Sequence, residues 1–211
     1  MTSKNKEDYL RSIYELQTKA GGSVKAGAIA SKLGISKPSV SEMMGKLKND
    51  GLVESAPYGA VSLTGKGVEE ARKILRRHRL LEVFFSDFLG INAFHDEAHE
   101  TEHALSEEAE RRLEKLLKHP KKCPDGDEIP RRGAKVLPLA RAPKGKPLRV
   151  LFSTLENEEE LASIKALGII HGEKARVLKK INRGPLILLV KGAEIAIGAD
   201  VSSNIYVEVG G

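Results

Sequence analysis

Apolar residues recur at helical spacing through the first third of the chain. Their stripe predicts a helix over 7–18, which the Gly21-Gly22 pair ends. A second helix is predicted over 25–33. A turn at Gly34 separates it from a third helix that Ser36 caps. Helix, glycine turn and helix in this order predict a helix-turn-helix.

Two short strands are predicted after the third helix, over 51–54 and 61–64, with a turn at Pro57-Tyr58-Gly59. Two strands joined by a turn after a helix-turn-helix form a wing. A wing commonly lies against the DNA backbone, while the third helix enters the major groove by its N-terminal end. Serine and lysine suit phosphates, and a glutamate can accept from a cytosine amine. The alternative is a polar face that is merely solvated. The candidate DNA contacts are Ser36, Lys37, Pro38, Ser39, Ser41 and Glu42.

The middle of the chain predicts further helices. One long helix should run over 65–85, and another over 107–117 after a cap at Ser106. Six prolines between positions 120 and 147 then exclude one continuous helix and indicate a linker. From residue 148 the pattern predicts a small β-barrel with one short helix over 158–167. Its strands are predicted over 148–152, 175–178, 186–190, 194–197 and 205–209.

These elements predict an α+β chain with three folded parts. A winged helix-turn-helix DNA-binding domain is expected over 1–73 and a helical domain over 74–122. A proline-rich linker over 123–146 should lead to the barrel over 147–211.

The segment 95–103 carries the most distinctive chemistry. It holds three of the six histidines and four carboxylates. At about 100° per residue, His99, Glu102 and His103 share one face of a helix. Imidazole and carboxylate on one face suit Mn, Fe, Co, Ni or Zn. His78 and Glu82, four residues apart on the preceding helix, form a second possible ligand pair.

The residues of segment 95–103 alone allow three interpretations. His99-Glu100-Thr101-Glu102-His103 matches both H-E-x-x-H and H-x-x-E-H, which are zinc peptidase motifs with a glutamate as the general base. The second interpretation is a regulatory metal site without chemistry. The third is a charged, solvated helix face, which usually carries glutamate and lysine.

Charge is unevenly spread along a chain whose net charge is +6. Residues 1–80 carry 15 Lys and Arg against 8 Asp and Glu, and residues 81–120 carry 4 against 10. A basic first third suits a polyanion, and an acidic middle suits a divalent cation. Only 4% of residues are aromatic, which disfavours single-strand binding by stacking and leaves duplex DNA.

Cys123 is the only cysteine, which excludes an internal disulfide framework. The sequence holds no apolar run long enough for a membrane span and no secretion signal after its first lysines. We therefore expect a cytoplasmic protein that contacts no membrane.

The chain resembles the iron-dependent (diphtheria-toxin-repressor) and manganese-transport-regulator family of metal-dependent repressors. The resemblance is collinear over residues 5 to 131. It is carried by Glu7-Asp8-Tyr9-Leu10-Arg11-Ser12-Ile13-Tyr14-Glu15-Leu16, Ser36-Lys37-Pro38-Ser39-Val40-Ser41, Asn49-Asp50-Gly51-Leu52-Val53, Leu63-Thr64-Gly65-Lys66-Gly67, Arg77-His78-Arg79-Leu80-Leu81-Glu82, 95–103, Cys123-Pro124-Asp125-Gly126 and Ile129-Pro130.

The resemblance implies a homodimer that binds a palindromic operator when Fe(II) or Mn(II) is bound, with no small organic substrate. It implies a primary metal site of Asp8, His99, Glu102 and His103 and an ancillary site of His78, Glu82 and His95. Zn(II), Co(II) and Ni(II) should also bind in vitro. Two residues depart from the family's patterns. Arg11 replaces a glutamate ligand of the manganese branch, and His99 matches neither branch.

The last third resembles the SH3-like domain of ferrous-transport protein A, through Leu167-Gly168-Ile169-Ile170-His171-Gly172 and Arg183-Gly184-Pro185. In iron repressors this domain lends two side chains to the ancillary site, so Glu156, Asn157, Glu159 and Glu160 are candidates. A metal-responsive repressor is thus the leading prediction, ahead of a constitutive DNA-binding protein with a structural metal. The resemblance gives Glu100 no catalytic counterpart, so a zinc peptidase is the last alternative.

Overall fold

A computed structural model describes residues 3–55, 59–155, 157–182 and 184–210. The chain divides into two compact units, Met1–Arg11 with Glu69–Gly133, and Ser12–Val68 with Ala134–Gly211. Helices α1 (Lys4–Ala20) and α4 (Gly65–Val83) each start in one unit and end in the other. Across the described ranges, no helix combines the length and the apolar character that crossing a membrane requires.

The second unit contains the predicted winged helix-turn-helix. The glycine turn has a left-handed φ of 66° at Gly34, and the Ser36 side chain accepts from the Ser39 backbone N–H. A two-residue strand missed by the sequence pattern, β1 (Val24–Lys25), pairs with β3 (Ala60–Leu63), which also pairs with β2 (Val53–Ser55), so the wing is part of a three-stranded sheet. The predicted turn residues Pro57 and Tyr58 lie outside the described residues. The elements are β1 (Val24–Lys25), α2 (Ala26–Leu33), α3 (Lys37–Asn49), β2 (Val53–Ser55) and β3 (Ala60–Leu63).

The first unit is helical and differs from the prediction at two helix ends. The long helix α4 stops at Val83 and continues as one π-helical turn, Phe84–Phe88. The histidine-rich helix α5 (Phe94–Thr101) ends before Glu102 and His103, which lie in a hydrogen-bonded turn. Helix α6 (Glu107–Leu116) begins after the Ser106 cap, as predicted.

A buried ion network fastens the proline-containing segment to α4 and α6. The Arg76 guanidinium lies 3.0 Å from Glu110, contacts Glu114 and donates to the Pro130 carbonyl at 2.5 Å. Arg132 reaches the same Glu110 carboxylate at 2.7 Å. In the same segment, Cys123 is buried within a small apolar group. That group comprises Leu80, Val83, Cys123 and Ile129.

The C-terminal part is an antiparallel sheet of order β4-β9-β5-β6-β7-β8, with the strands predicted for the barrel and one more. The extra strand, β4, falls inside the predicted linker and ends in Pro138, which suits its place at the sheet edge. Bulges in β5 and β6 interrupt the register and bend those strands. The elements are β4 (Val136–Pro138), β5 (Pro147–Ser153), α7 (Glu158–Ala166), β6 (Lys174–Lys180), β7 (Leu186–Val190), β8 (Ala193–Ile197), α8 (Ala199–Ser203) and β9 (Ile205–Val209).

An aromatic column joins α1 to this sheet within the second unit. The Phe152 ring is buried, stacks on Tyr206 with centroids 5.0 Å apart, and meets the Tyr14 ring edge-on at 6.2 Å. Beside it, the Ser153 hydroxyl donates to the Gly21 carbonyl at 2.9 Å. These contacts fix the C-terminal end of α1 on β5.

Replacing Phe152 by alanine should therefore destabilise the protein by about 3–5 kcal/mol, because a buried ring and its two aromatic contacts are lost. Chemical denaturation followed by circular dichroism measures the loss. Phe152→Leu, which keeps much of the volume, should cost clearly less. A Phe152→Ala loss below about 1 kcal/mol would show that the column contributes little.

Candidate metal centre

The four predicted primary residues converge inside the first unit. Asp8 comes from the second turn of α1, His99 from α5, and Glu102 with His103 from the turn after α5. Asp8 Oδ1 lies 3.0 Å from His103 Nε2, and Glu102 Oε1 lies 3.2 Å from His99 Nδ1. One donor atom from each residue lies within 4.8 Å of the donor atoms of the others.

The donor atoms of this cluster fit a divalent cation better than they fit one another. Asp8 Oδ1 and His103 Nε2 are buried, and neither has a hydrogen-bond partner among the described residues despite their short separation. Glu102 is fully buried, and its Oε1 faces both His99 and His103. Buried polar atoms without partners are costly, and a shared cation would satisfy them. Two imidazoles and two carboxylates without a thiolate suit Mn(II) or Fe(II), and also Zn(II).

A second cluster joins the residues predicted for the ancillary site, with His78 and Glu82 on α4 and His95 on α5. Glu82 Oε1 lies 2.9 Å from His78 Nε2 and 2.6 Å from His95 Nδ1. The other ring nitrogen of His95 lies 2.8 Å from Asp125 Oδ2. Sequence reasoning assigned no role to Asp125, although it lies in the Cys-Pro-Asp-Gly stretch that carries the family resemblance. This cluster therefore offers two imidazoles and one carboxylate, and Asp125 holds the outer nitrogen of His95.

Glu102 connects the two clusters. Its Oε1 faces His99 and His103, while its Oε2 lies 2.7 Å from His78 Nδ1. Burial opposes ionisation of Glu102, but His78 and Arg11 outweigh it, so the pKa of Glu102 is lowered. Burial likewise opposes the charged form of His78, and the Glu102 and Glu82 carboxylates overcome it and raise the pKa of His78. Glu102 is thus held ionised between the two clusters.

Two further residues of α1 contact the primary cluster. Glu7 Oε2 lies 2.7 Å from His103 Nδ1, the ring nitrogen that does not face Asp8. A carboxylate on the second nitrogen orients a ligating imidazole and raises its basicity. Arg11 Nη2 donates to His99 Nδ1 at 3.0 Å. Neither contact could be predicted from spacing, because about 90 residues separate the partners.

Cys123 lies near the second cluster but is not suited to bind a metal ion there as a thiolate ligand. Burial, with the nearby Glu82 carboxylate adding to it, raises the pKa of the Cys123 thiol to about 11. The thiol therefore stays protonated at neutral pH in this arrangement.

The candidates from the SH3-like part lie at the start of α7. Asn157 caps this helix, because its side-chain oxygen accepts from the backbone N–H groups of Glu159 and Glu160. Both glutamates are exposed in the first turn. Glu156 lies outside the described residues. A contribution of α7 to a metal site stays a prediction.

The predicted DNA contacts share one exposed surface at the start of α3. Glu42 forms an exposed ion pair with Lys46 at 2.7 Å, and that hydrogen bond lowers the pKa of Glu42. Val40 and Leu47 are buried on the opposite side and fix the helix. The exposed residues are Ser36, Lys37, Pro38, Ser39, Ser41 and Glu42.

Three family models cover almost all of the sequence. Residues 1–61 match the iron dependent repressor N-terminal DNA binding domain, and residues 64–131 match the iron dependent repressor metal binding and dimerisation domain. Residues 137–209 match the FeoA domain. The diphtheria toxin repressor of Corynebacterium efficiens is 30% identical over 96% of this chain and 94% of that protein. The chain belongs to the iron-dependent repressor family.

Solved structures of manganese regulators resemble this family member along its length. The manganese regulator SloR is 32% identical with a TM-score of 0.56, and each chain is covered completely. A manganese-dependent transcriptional repressor in complex with manganese is 30% identical with a TM-score of 0.57, over 97% of this chain and 99% of that one. The predicted fold class, α+β with a winged helix-turn-helix, a helical domain and a small SH3-like β-barrel, is confirmed, and the last part is observed as a β-sheet domain that matches the FeoA model.

Membership also decides the open question about the histidine motif. The family consists of DNA-binding repressors and not of enzymes, so the zinc peptidase interpretation is set aside. The geometry agrees, because Glu100 is exposed and pairs with Lys4 at 3.3 Å. It therefore does not face the His99 and His103 cluster as a general base would.

Proposed function

We propose that this chain is a transcriptional repressor that binds operator DNA when a divalent metal ion, Mn(II) or Fe(II), is held by Asp8, His99, Glu102 and His103. The observation that carries the proposal is the position of Asp8. It lies on α1, the helix that continues into the DNA-binding domain, yet its carboxylate meets the side chains of α5 and the following turn. Metal occupancy and the placement of α1 are therefore linked.

A bound ion changes the interaction between Asp8 on α1 and Glu102 after α5 from repulsion to shared attraction. Asp8 and Glu102 are both carboxylates, and without a metal ion they repel across the cluster, a repulsion that the nearby Arg11 offsets only in part. The ion supplies the positive charge that both share. Helix α1 is then held against α5, and a coupling of about 1–3 kcal/mol would change operator affinity about 5- to 150-fold. The reciprocal effect has the same size, so bound DNA raises the metal affinity by the same factor.

The second cluster supports the first in this proposal. His78, Glu82 and His95 hold a second ion, and Asp125 orients His95 through the ring nitrogen that faces away from Glu82. Glu102 passes a change in either cluster to the other, because one oxygen faces each.

We further propose that the active species is a dimer on a palindromic operator. Two recognition helices would then enter major grooves about 34 Å apart. The matched metal binding and dimerisation domain supports dimer formation. In the first unit, Phe88, Leu89 and Leu116 are each more than half exposed, and contact with a second copy would remove them from water. A repressor of this kind acts where the chromosome is, which agrees with the expected cytoplasmic location.

Lys37 is expected to contact a phosphate. Lys37→Ala should weaken binding to all DNA sequences alike and reduce the slope of log affinity against log salt by about 1. Fluorescence anisotropy at several salt concentrations measures both effects. Lys179→Ala, which removes an exposed lysine outside α3, is the matched control. A Lys37 variant with an unchanged salt slope would contradict the assignment.

The main test of the function is a DNA-binding titration in chelator, followed by separate addition of Mn(II), Fe(II) and Zn(II). The proposal predicts weak binding in chelator and tight binding with at least one of the three ions. A constitutive DNA-binding protein with a structural metal is the second candidate. Binding that is equally tight with and without chelator would favour it over the repressor proposed here.

A further inference from the structure

Arg11 places a permanent positive charge beside the primary cluster. Its side chain is 14% exposed, and Nη2 lies 3.0 Å from His99 Nδ1 and 3.5 Å from Glu102 Oε1. Its Nε is buried and has no hydrogen-bond partner among the described residues. An arginine cannot lose its proton in a protein, so this charge is present at every working pH.

The charge of Arg11 has two opposite consequences for the cluster. Glu7, Asp8 and Glu102 bring three carboxylates together, and the guanidinium offsets part of their repulsion. The protein without metal is thereby stabilised. The same charge repels an incoming divalent ion, and at these separations in a partly buried site that repulsion is large.

The hydrogen bond from Arg11 to His99 also opposes metal binding. The guanidinium is a donor only, so His99 Nδ1 accepts and its lone pair is engaged. This nitrogen also faces Glu102 Oε1 at 3.2 Å, and so points into the cluster. To bind an ion through this atom, His99 must leave Arg11.

We propose that Arg11 is a resident cation that occupies part of the primary cluster until metal arrives and so raises the metal concentration at which the repressor responds. The inference rests on the proposed function and adds a determinant of its threshold. Arg11 would act by competing for His99 and Glu102, and not as a ligand.

The test compares Mn²⁺ affinity and metal-free stability in one set of variants of the full chain. Arg11→Met removes the charge but keeps a long apolar stem, and Arg11→Lys keeps the charge. Lys4→Met is the matched control, because Lys4 lies on the same helix and forms an exposed ion pair with Glu100. Isothermal titration with Mn²⁺ gives affinity, and thermal melting in chelator gives metal-free stability.

The proposal predicts that Arg11→Met binds Mn²⁺ at least about tenfold more tightly than the parent, while its metal-free form melts at a lower temperature. Arg11→Lys and Lys4→Met should stay within about threefold of the parent affinity. If Arg11→Met does not give folded protein, Arg11→Gln carries the same prediction.

A merely structural arginine gives a different result. Its loss would loosen the cluster, so Mn²⁺ affinity and metal-free stability would fall together, and that outcome overturns the proposal. Unchanged Mn²⁺ affinity in Arg11→Met would overturn it as well. A parent protein that takes up no Mn²⁺, Fe²⁺ or Zn²⁺ would overturn the proposed function itself, so the two failures are distinguishable.

Discussion

Asp8→Ala is expected to lose metal-stimulated DNA binding while keeping its fold. The carboxylate is the contribution of α1 to the primary cluster, and Asp8 Oδ1 lies 3.0 Å from His103 Nε2. Without it, α5 and the following turn could still hold an ion through His99, Glu102 and His103, but α1 would no longer be tied to that ion. The variant with Mn(II) should therefore bind operator as weakly as the parent in chelator, a loss of about 5- to 150-fold.

Anisotropy titrations of parent and Asp8→Ala, each in chelator and in Mn(II), measure this loss. Asp96→Ala is the control, because Asp96 is an exposed carboxylate of α5 and belongs to neither cluster. It should respond to metal as the parent does. An Asp8→Ala protein with the full metal response would refute the link between α1 and the cluster.

Glu102→Gln is expected to impair both clusters at once. The substitution keeps the size of a fully buried side chain but removes the charge that lies between His99 and His103 on one side and His78 on the other. Metal affinity should fall by more than the roughly 10- to 100-fold that a lost outer partner of a ligand costs. The metal-free protein should also lose stability, by roughly 3–5 kcal/mol, because Arg11 and His78 lose a buried partner.

Glu110→Gln separates the two effects of Glu102→Gln. Glu110 is also buried in the first unit, where its partners are Arg76, Arg77 and Arg132 and not histidines. Its substitution should destabilise the fold to a similar degree and leave metal uptake, counted by metal analysis after dialysis, unchanged. If both variants lose metal equally, metal uptake in Glu102→Gln reflects instability and not the lost carboxylate.

Local patterns were sufficient for most of the fold. The Ser36 and Ser106 caps, the Gly34 turn and the apolar strands β7 and β9 each depend on neighbouring residues, and each was predicted at or near its observed place. β4 was missed because Pro138 and the surrounding prolines indicate a linker. Only pairing with β9, about 70 residues later, makes these residues a strand. The π-helical turn at Phe84 leaves no comparable signal in the spacing of apolar residues.

The candidate site divides in the same way. The histidines and Glu102 were found because they lie within one stretch at helical spacing, and Asp8 was reached only through the family resemblance. The contacts of Asp125 with His95 and of Arg11 with His99 join residues that are far apart in the sequence, so the spacing of residues along the chain does not predict them. The two-sided position of Glu102 also needed the structure, because a helical pattern gives the direction of a side chain but not the partners of its two oxygens.

In the proposed repressor, α1 and the histidine segment hold one ion together. Crystals of the full chain grown with Mn²⁺, measured at the manganese absorption edge, locate that ion by its anomalous scattering. If α1 and the histidine segment share the ion, the anomalous peak lies within bonding distance of Asp8, His99, Glu102 and His103. A manganese peak elsewhere in the protein, with Asp8 turned away from an empty cluster, would contradict the shared site.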